Sequence, residues 1–328
     1  MTNPDAHPSA EPEVPAATEP AATEPAATEP AAATDATATA ASRPRRVDHR
    51  RPDLVGLPIG PGSITWRING DSRALLLIGR TGVMQNMHPA VSQALLDHSV
   101  YFADPIGRIS RSIPQILGVI YDHDGEGTGA SVRDWHKPIR SEKGASHQYR
   151  ALDPSVFYWT HATFVEAAIE TQRLFGTPLS RGELERYYRE SITWWRRYGM
   201  SMAPVPESYD EFRAYWQRMF ETELAATPVA MDAIENTTMP VPPPGIPPQV
   251  WGVVAERAAV YGATWITKAT LPPEARELLG YSWNRRDELL ARAYVRSVKL
   301  AWNAVPQRAR RLPQAAAADR RLALAAAA

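Results

Sequence analysis

Asp153-Pro-Ser-Val-Phe-Tyr-Trp-Thr-His161-Ala-Thr-Phe-Val-Glu-Ala-Ala-Ile-Glu170-Thr-Gln-Arg-Leu-Phe175-Gly176 reads as one long helix with both ends marked. Asp153 is a good N-cap, and Pro154 takes the first helical position, where the missing N–H costs nothing. Gly176 is the residue type that commonly closes a helix. At about 100° per residue, Tyr158, Val165 and Ala168 lie within about 60° of His161; Glu170 is opposite, and Glu166 and Arg173 also face away. An imidazole is therefore aimed into an apolar face, where it must be hydrogen-bonded or coordinated. Its Nδ1–H is within reach of the Phe157 carbonyl one turn back, which would leave Nε2 as a neutral ligand. Two readings stand: a core histidine satisfied by another side chain, the commoner case on spacing alone, and a metal ligand.

Working outward, helical periodicity dominates from about residue 64 to 303. The spacing predicts helices near 71–80, 84–99, 105–120, 130–137, 181–198, 208–225, 227–237, 249–266, 272–279 and 285–302 around the central one at 154–175. Ser180-x-x-Glu183 and Ser208-x-x-Glu211 are capping boxes. Ile116–Tyr121 is the clearest strand candidate and reads equally well as the end of a helix. The fold class is all-α. The Pro-rich run 239–248 cannot be helical and links the core to a C-terminal helical segment. The folded domain is expected over 47–310, followed by an Ala-rich tail at 311–328.

The chain has 328 residues, with 36 Lys+Arg balanced by 36 Asp+Glu, which argues against a general nucleic-acid binder. There is no cysteine, so disulfides, zinc–thiolate sites, iron–sulfur clusters, thiolate-ligated haem and thiol catalysis are excluded. Ten tryptophans and a 44% hydrophobic fraction are enough for a sizeable core. Residues 1–46 are set apart from it. PAATEP-like units and an Ala/Thr run cannot bury enough apolar surface to offset chain entropy, so this tail is expected to be disordered. The basic cluster Arg43–Arg51 is followed by Pro52-Asp53 and not by an apolar segment, so it does not read as a twin-arginine export signal. No run approaches the length of a membrane span, and a cytoplasmic location is expected.

Two further clusters bear on chemistry. In Val132-Arg133-Asp-Trp-His136-Lys137-Pro138, the histidine lies near a helix end, either as part of a solvated terminus or as an acid–base group over a cofactor. In Asp104-Pro-Ile-Gly-Arg108-Ile-Ser-Arg111, two arginines at i, i+3 can present paired guanidinium forks to carboxylates or phosphates, or simply face solvent. Gly125-Glu-Gly127-Thr-Gly-Ala130 fits a dinucleotide fingerprint, but Asp122 and Asp124 set negative charge where a pyrophosphate would sit, and no second βαβ unit follows. A flexible acidic connector is the better reading. Metalloprotease, di-iron, nucleophile-elbow and P-loop motifs are absent from the sequence.

Ten short segments occur in a fixed order: Gln85-Asn-Met-His88-Pro-Ala-Val, Asp97-His-Ser, Ala103-Asp-Pro-Ile-Gly-Arg108-Ile-Ser-Arg111, Arg133-Asp-Trp-His136, Tyr149-Arg-Ala-Leu-Asp153-Pro, Trp159-Thr-His161-Ala-Thr, Pro178-Leu-Ser180, Tyr187-Tyr-x-Glu190, Val205-Pro206 and Leu271-Pro-Pro-Glu-Ala-Arg276. Together they resemble the MpaB-type oxygenase family, whose domain also forms the catalytic region of latex-clearing rubber oxygenases. The resemblance implies a distantly globin-like helical core that binds haem b and uses dioxygen on an apolar substrate, isoprenoid or otherwise alkene-containing. It implies His161 as the proximal iron ligand, Arg133 and His136 as distal catalytic residues, and Arg108 and Arg111 as cofactor-binding residues. His136 stands where the rubber oxygenases carry a lysine, Lys137 where they carry a threonine, and their glutamate base has no counterpart. The resemblance names no electron donor. A helical module that binds lipid or haem without catalysis is the alternative function.

Overall fold

The computed structural model describes residues 54–98, 105–235 and 252–327. The disorder expected for 1–46, the basic cluster and the 239–248 linker lie outside the described residues. The described residues form helices and no named strand, as expected for an all-α chain. In chain order these are α1 (Ile64–Asn69), a 3₁₀ segment (Ser72–Leu77), α2 (Ile78–Asn86), α3 (Pro89–His98), α4 (Pro105–Tyr121), α5 (Gly125–Trp135), α6 (Pro154–Phe175), α7 (Arg181–Arg197), α8 (Tyr209–Thr222), α9 (Pro228–Glu235), α10 (Val253–Thr270), α11 (Pro273–Leu278), α12 (Arg285–Trp302) and α13 (Pro313–Ala327), with a second 3₁₀ turn at Gln307–Ala309. No helix among them is long and apolar enough to cross a membrane.

Local chemistry explains the boundaries. The Asp153 carboxylate accepts the Ser155 N–H and opens α6, and Ser180 with Glu183 closes a full capping box on α7. At α8 only half of the expected box forms: Ser208 caps Glu211, but the Glu211 carboxylate takes the Glu207 N–H. The helix expected over 84–99 is two helices. Pro89 starts the second, and the neighbouring His88 Nδ1 accepts the Ala90 N–H at 3.2 Å.

The acidic, glycine-rich connector expected before residue 130 is the first part of α5. Asp124 caps it through the Gly127 N–H at 2.8 Å. A Cβ at Gly129 would stand 2.2 Å from the Arg197 carbonyl oxygen, so this glycine lets α5 press against the end of α7. The fingerprint-like glycines thus serve helix packing.

Helix α6 runs through the centre, touching α1, α2, α7, α12 and the first 3₁₀ segment. Its core side includes Trp159, Ala162, Val165 and Phe175, and it packs with Trp194 and Trp195 of α7 and Trp216 of α8. Each large apolar side chain fully buried in this way contributes about 1.5–3 kcal/mol of transfer free energy. Polar side chains of α6 are buried as well: Glu166, Thr171 and Gln172. The Ala-rich segment expected as a tail forms α13. It packs on α4 through Ala315 and Ala318, while Asp319 accepts the Trp66 indole N–H at 2.8 Å.

Candidate functional site

The middle of α6 borders a cavity of about 1100 Å³, larger than the roughly 300–1,000 Å³ of common small-molecule sites. Helices α2, α3, α4, α5, α9 and α10 complete its wall, which is mainly apolar. Leu75 and Trp135 line it and are also exposed to solvent. Within α4, Pro114 removes one backbone donor from the helical ladder where that helix forms the wall.

His161 lines this cavity and is only 3% exposed. Its ring is backed by aromatics, with centroids 4.8 Å from Trp194, 5.5 Å from Trp195, and 5.9 Å from both Tyr158 and Tyr198. Burial lowers its pKa to about 3, with a contact to the Ser191 backbone offsetting only part of that shift, so the ring is neutral near pH 7. The hydrogen bond expected from Nδ1 to the Phe157 carbonyl is not made. That carbonyl accepts the Thr160 hydroxyl at 2.7 Å, and His161 Nδ1 is buried without a partner. A buried ring nitrogen with nothing to bond costs free energy unless a ligand or metal supplies the bond.

His136 makes the contact expected of His161. It is the C-cap of α5, and its Nδ1 lies 2.7 Å from the Val132 carbonyl oxygen, one turn back. The ring lines the cavity and packs edge-on against Phe157 at 5.4 Å. The same wall therefore carries both histidines, from α5 and α6, with Phe157 beside them.

Arg133 is placed differently. Its guanidinium pairs with Asp134 at 2.7 Å and donates to the Tyr198 carbonyl at 3.3 Å. It reaches the cavity wall through Tyr198, which lines it. Burial raises the Tyr198 pKa well above the usual tyrosine value, so its phenol stays protonated. Arg111 lines the cavity directly. Arg108 belongs to the same helix, but its side chain lies outside the described residues. His98 also lines the wall, with Nε2 2.9 Å from the Arg140 carbonyl. His88 is buried apart from the wall, and burial lowers its pKa.

Helix α2 supplies wall residues that motif reasoning missed. Ile78, Gly79, Thr81, Gly82, Val83, Gln85 and Asn86 all line the cavity. On a helical wheel they span an arc of about 200° with Gly82 at its middle. A Cβ built on Gly82 meets nothing within 4 Å. The paired glycines at 79 and 82 inside a helical run were the available signal, since glycine weakens a helix and is kept there for a spatial reason. Gln85 ties this wall to α6, donating to the Thr163 hydroxyl at 2.9 Å, and the Trp159 indole N–H donates to the Met84 carbonyl at 3.1 Å.

Among the described residues, no three His, Asp or Glu side chains gather as a metal-binding group. No curated protein and no solved structure matches the chain significantly. A family model described as "ER-bound oxygenase mpaB/B'/Rubber oxygenase, catalytic domain" matches residues 66–300. That span includes most of the cavity wall and both of its central histidines, and the chain belongs to this family of oxygenase catalytic domains.

Proposed function

We propose that the protein is a haem b-dependent oxygenase that uses dioxygen on an apolar small molecule held in the cavity. The observation that carries this reading is a buried, neutral histidine on the wall of a cavity of about 1100 Å³, its Nδ1 without a well-formed hydrogen bond. Three features fit the group. The cavity is large, its walls are mainly apolar, and Arg111 offers a guanidinium of the kind that pairs carboxylates such as haem propionates. When bound, a haem would supply the redox-active iron through which dioxygen is activated.

The chain's own residues then have distinct tasks. His161 holds the group through a ring nitrogen, and its aromatic neighbours fix the ring plane. Its low pKa keeps protons from competing for the ligand lone pair near neutral pH. His136, with Nδ1 engaged by the Val132 carbonyl, takes or gives a proton through Nε2. Arg133 positions Tyr198 by holding its carbonyl. The apolar wall keeps water from the reacting groups and takes up the hydrocarbon part of the substrate.

The test is an absorption spectrum of the purified protein, oxidised and reduced, with and without haem reconstitution. A Soret band with iron near one per chain is expected, lost or weakened in His161→Ala while the far-ultraviolet helical signal is kept. Equal haem retention by the variant would remove His161 from the role. A colourless protein carrying an apolar ligand would mark a binding module instead.

A further inference from the structure

Asn86 is the last residue of α2 and lines the cavity one turn beyond Gly82. It is 4% exposed, and its Oδ1 is buried without a hydrogen-bond partner. Its backbone is pinned, because the Thr227 hydroxyl donates to the Asn86 carbonyl at 2.5 Å. On the wheel, Asn86 lies about 40° from Gly82, and helical side chains lean toward the N-terminal turn. Asn86 therefore shares a face of α2 with Gly82, which has no side chain. Ligand atoms can approach the backbone there as at no bulkier position.

We propose that Asn86 is a specificity-determining residue that hydrogen-bonds a hydroxyl group on an otherwise apolar substrate, seated over Gly82. An orphaned acceptor calls for a donor. Deprotonated propionates of a haem carry none, so the partner belongs to the substrate. A hydroxyl suits the site because it can donate to the carboxamide oxygen and accept from the carboxamide nitrogen. A purely hydrocarbon ligand would leave Oδ1 unpaired in an apolar wall, and sites built to hold a polar group discriminate strongly against analogues that lack it. This inference names the substrate class for the cavity reading above and rests on that reading.

The experiment is isothermal titration calorimetry of the protein as purified with 1-decanol and with decyl methyl ether, which accepts a hydrogen bond but cannot donate one. The alcohol is expected to bind about tenfold tighter, the equivalent of one well-made buried hydrogen bond. In Asn86→Leu that ratio should fall to near one, the alcohol losing more affinity than the ether. Asn86→Ala is the second variant should the leucine disturb folding, with circular dichroism reporting the helical signal of each. Equal affinities in the wild type, an alcohol preference surviving in a folded variant, or no binding of either probe overturns the proposal. Binding is read without reference to iron. A missing Soret band therefore refutes the haem reading alone, and a missing hydroxyl preference refutes the role of Asn86 alone.

Discussion

Arg80 of α2 and Glu166 of α6 are joined by two parallel hydrogen bonds of 2.5 and 2.7 Å, with both side chains buried. Arg80 Nε also donates to the Thr270 carbonyl at the end of α10, at 2.8 Å. One guanidinium thus fastens three helices of the cavity wall, and the pair's attraction keeps Arg80 charged despite its burial. Glu166→Ala strands that charge and should cost about 3–5 kcal/mol. Replacing both partners, as Arg80→Met with Glu166→Leu, removes charge and countercharge together and should cost much less. Urea unfolding by circular dichroism measures both, and a double variant no more stable than Glu166→Ala would refute the account.

Gly82 offers a substitution with opposite effects on stability and on the cavity. Glycine inside a helix costs about 0.5–1 kcal/mol relative to alanine, and a Cβ here meets nothing within 4 Å. Gly82→Ala should therefore raise the unfolding free energy by about that amount. Gly82→Phe should leave the helical signal intact while filling part of the cavity, and so weaken binding of apolar ligands. Loss of stability in Gly82→Ala would mean that the glycine is needed for the backbone itself.

His88 gives the fold an acid-sensitive contact. Its Nδ1 accepts the Ala90 N–H in the first turn of α3, a bond that requires the neutral ring. Burial lowers its pKa below the usual histidine value, with Glu223 and Asp153 offsetting part of the effect. The unfolded chain then binds the proton more readily than the folded one, so this contribution is complete above about pH 6.5 and falls away as the pH drops toward the lower, folded-state value. The loss should be about 1 kcal/mol, the scale of a helix cap. Urea midpoints at pH 7.5 and 5.5 should therefore differ more in the wild type than in His88→Gln. Identical pH dependence in the two would exclude the histidine.

Elements whose ends carry their own chemistry were legible in the sequence. The spans of α6 and α12 match expectation residue for residue, the first marked by Asp153 and Pro154. Two errors have physical causes. Glycines at 125–129 look like breakers, yet they are helical because α7 requires a close approach. The α13 segment has no apolar stripe of bulky residues, but Ala315 and Ala318 are fully buried because small side chains let helices meet closely. The direction of His161 followed from helical angles alone. So did the outward turn of Glu166, but what waits on that side is Arg80 and not water, and no local pattern announces a partner 86 residues away. The cavity is likewise a long-range property. Only the spacing of Gly79 and Gly82 hinted at it.

Gly199 and Arg133 allow the positioning role to be separated from catalysis. Gly199 follows α7 with a φ of +65°, and a Cβ there would lie 2.7 Å from Arg133 Nη1. Gly199→Ala should cost about 1–2 kcal/mol in backbone strain and push the guanidinium off the Tyr198 carbonyl. Arg133→Ala removes the same bond from the other side. If both act through Tyr198, each should shift the near-ultraviolet aromatic signal, and the double variant should shift it no further than the larger single change. Stability should be sub-additive in the same way, since residues that share one contact couple where distant ones do not. Additive effects on both readouts would mean that Arg133 acts elsewhere, by a movement of its side chain toward the cavity, and would return it to the group of residues that touch the substrate.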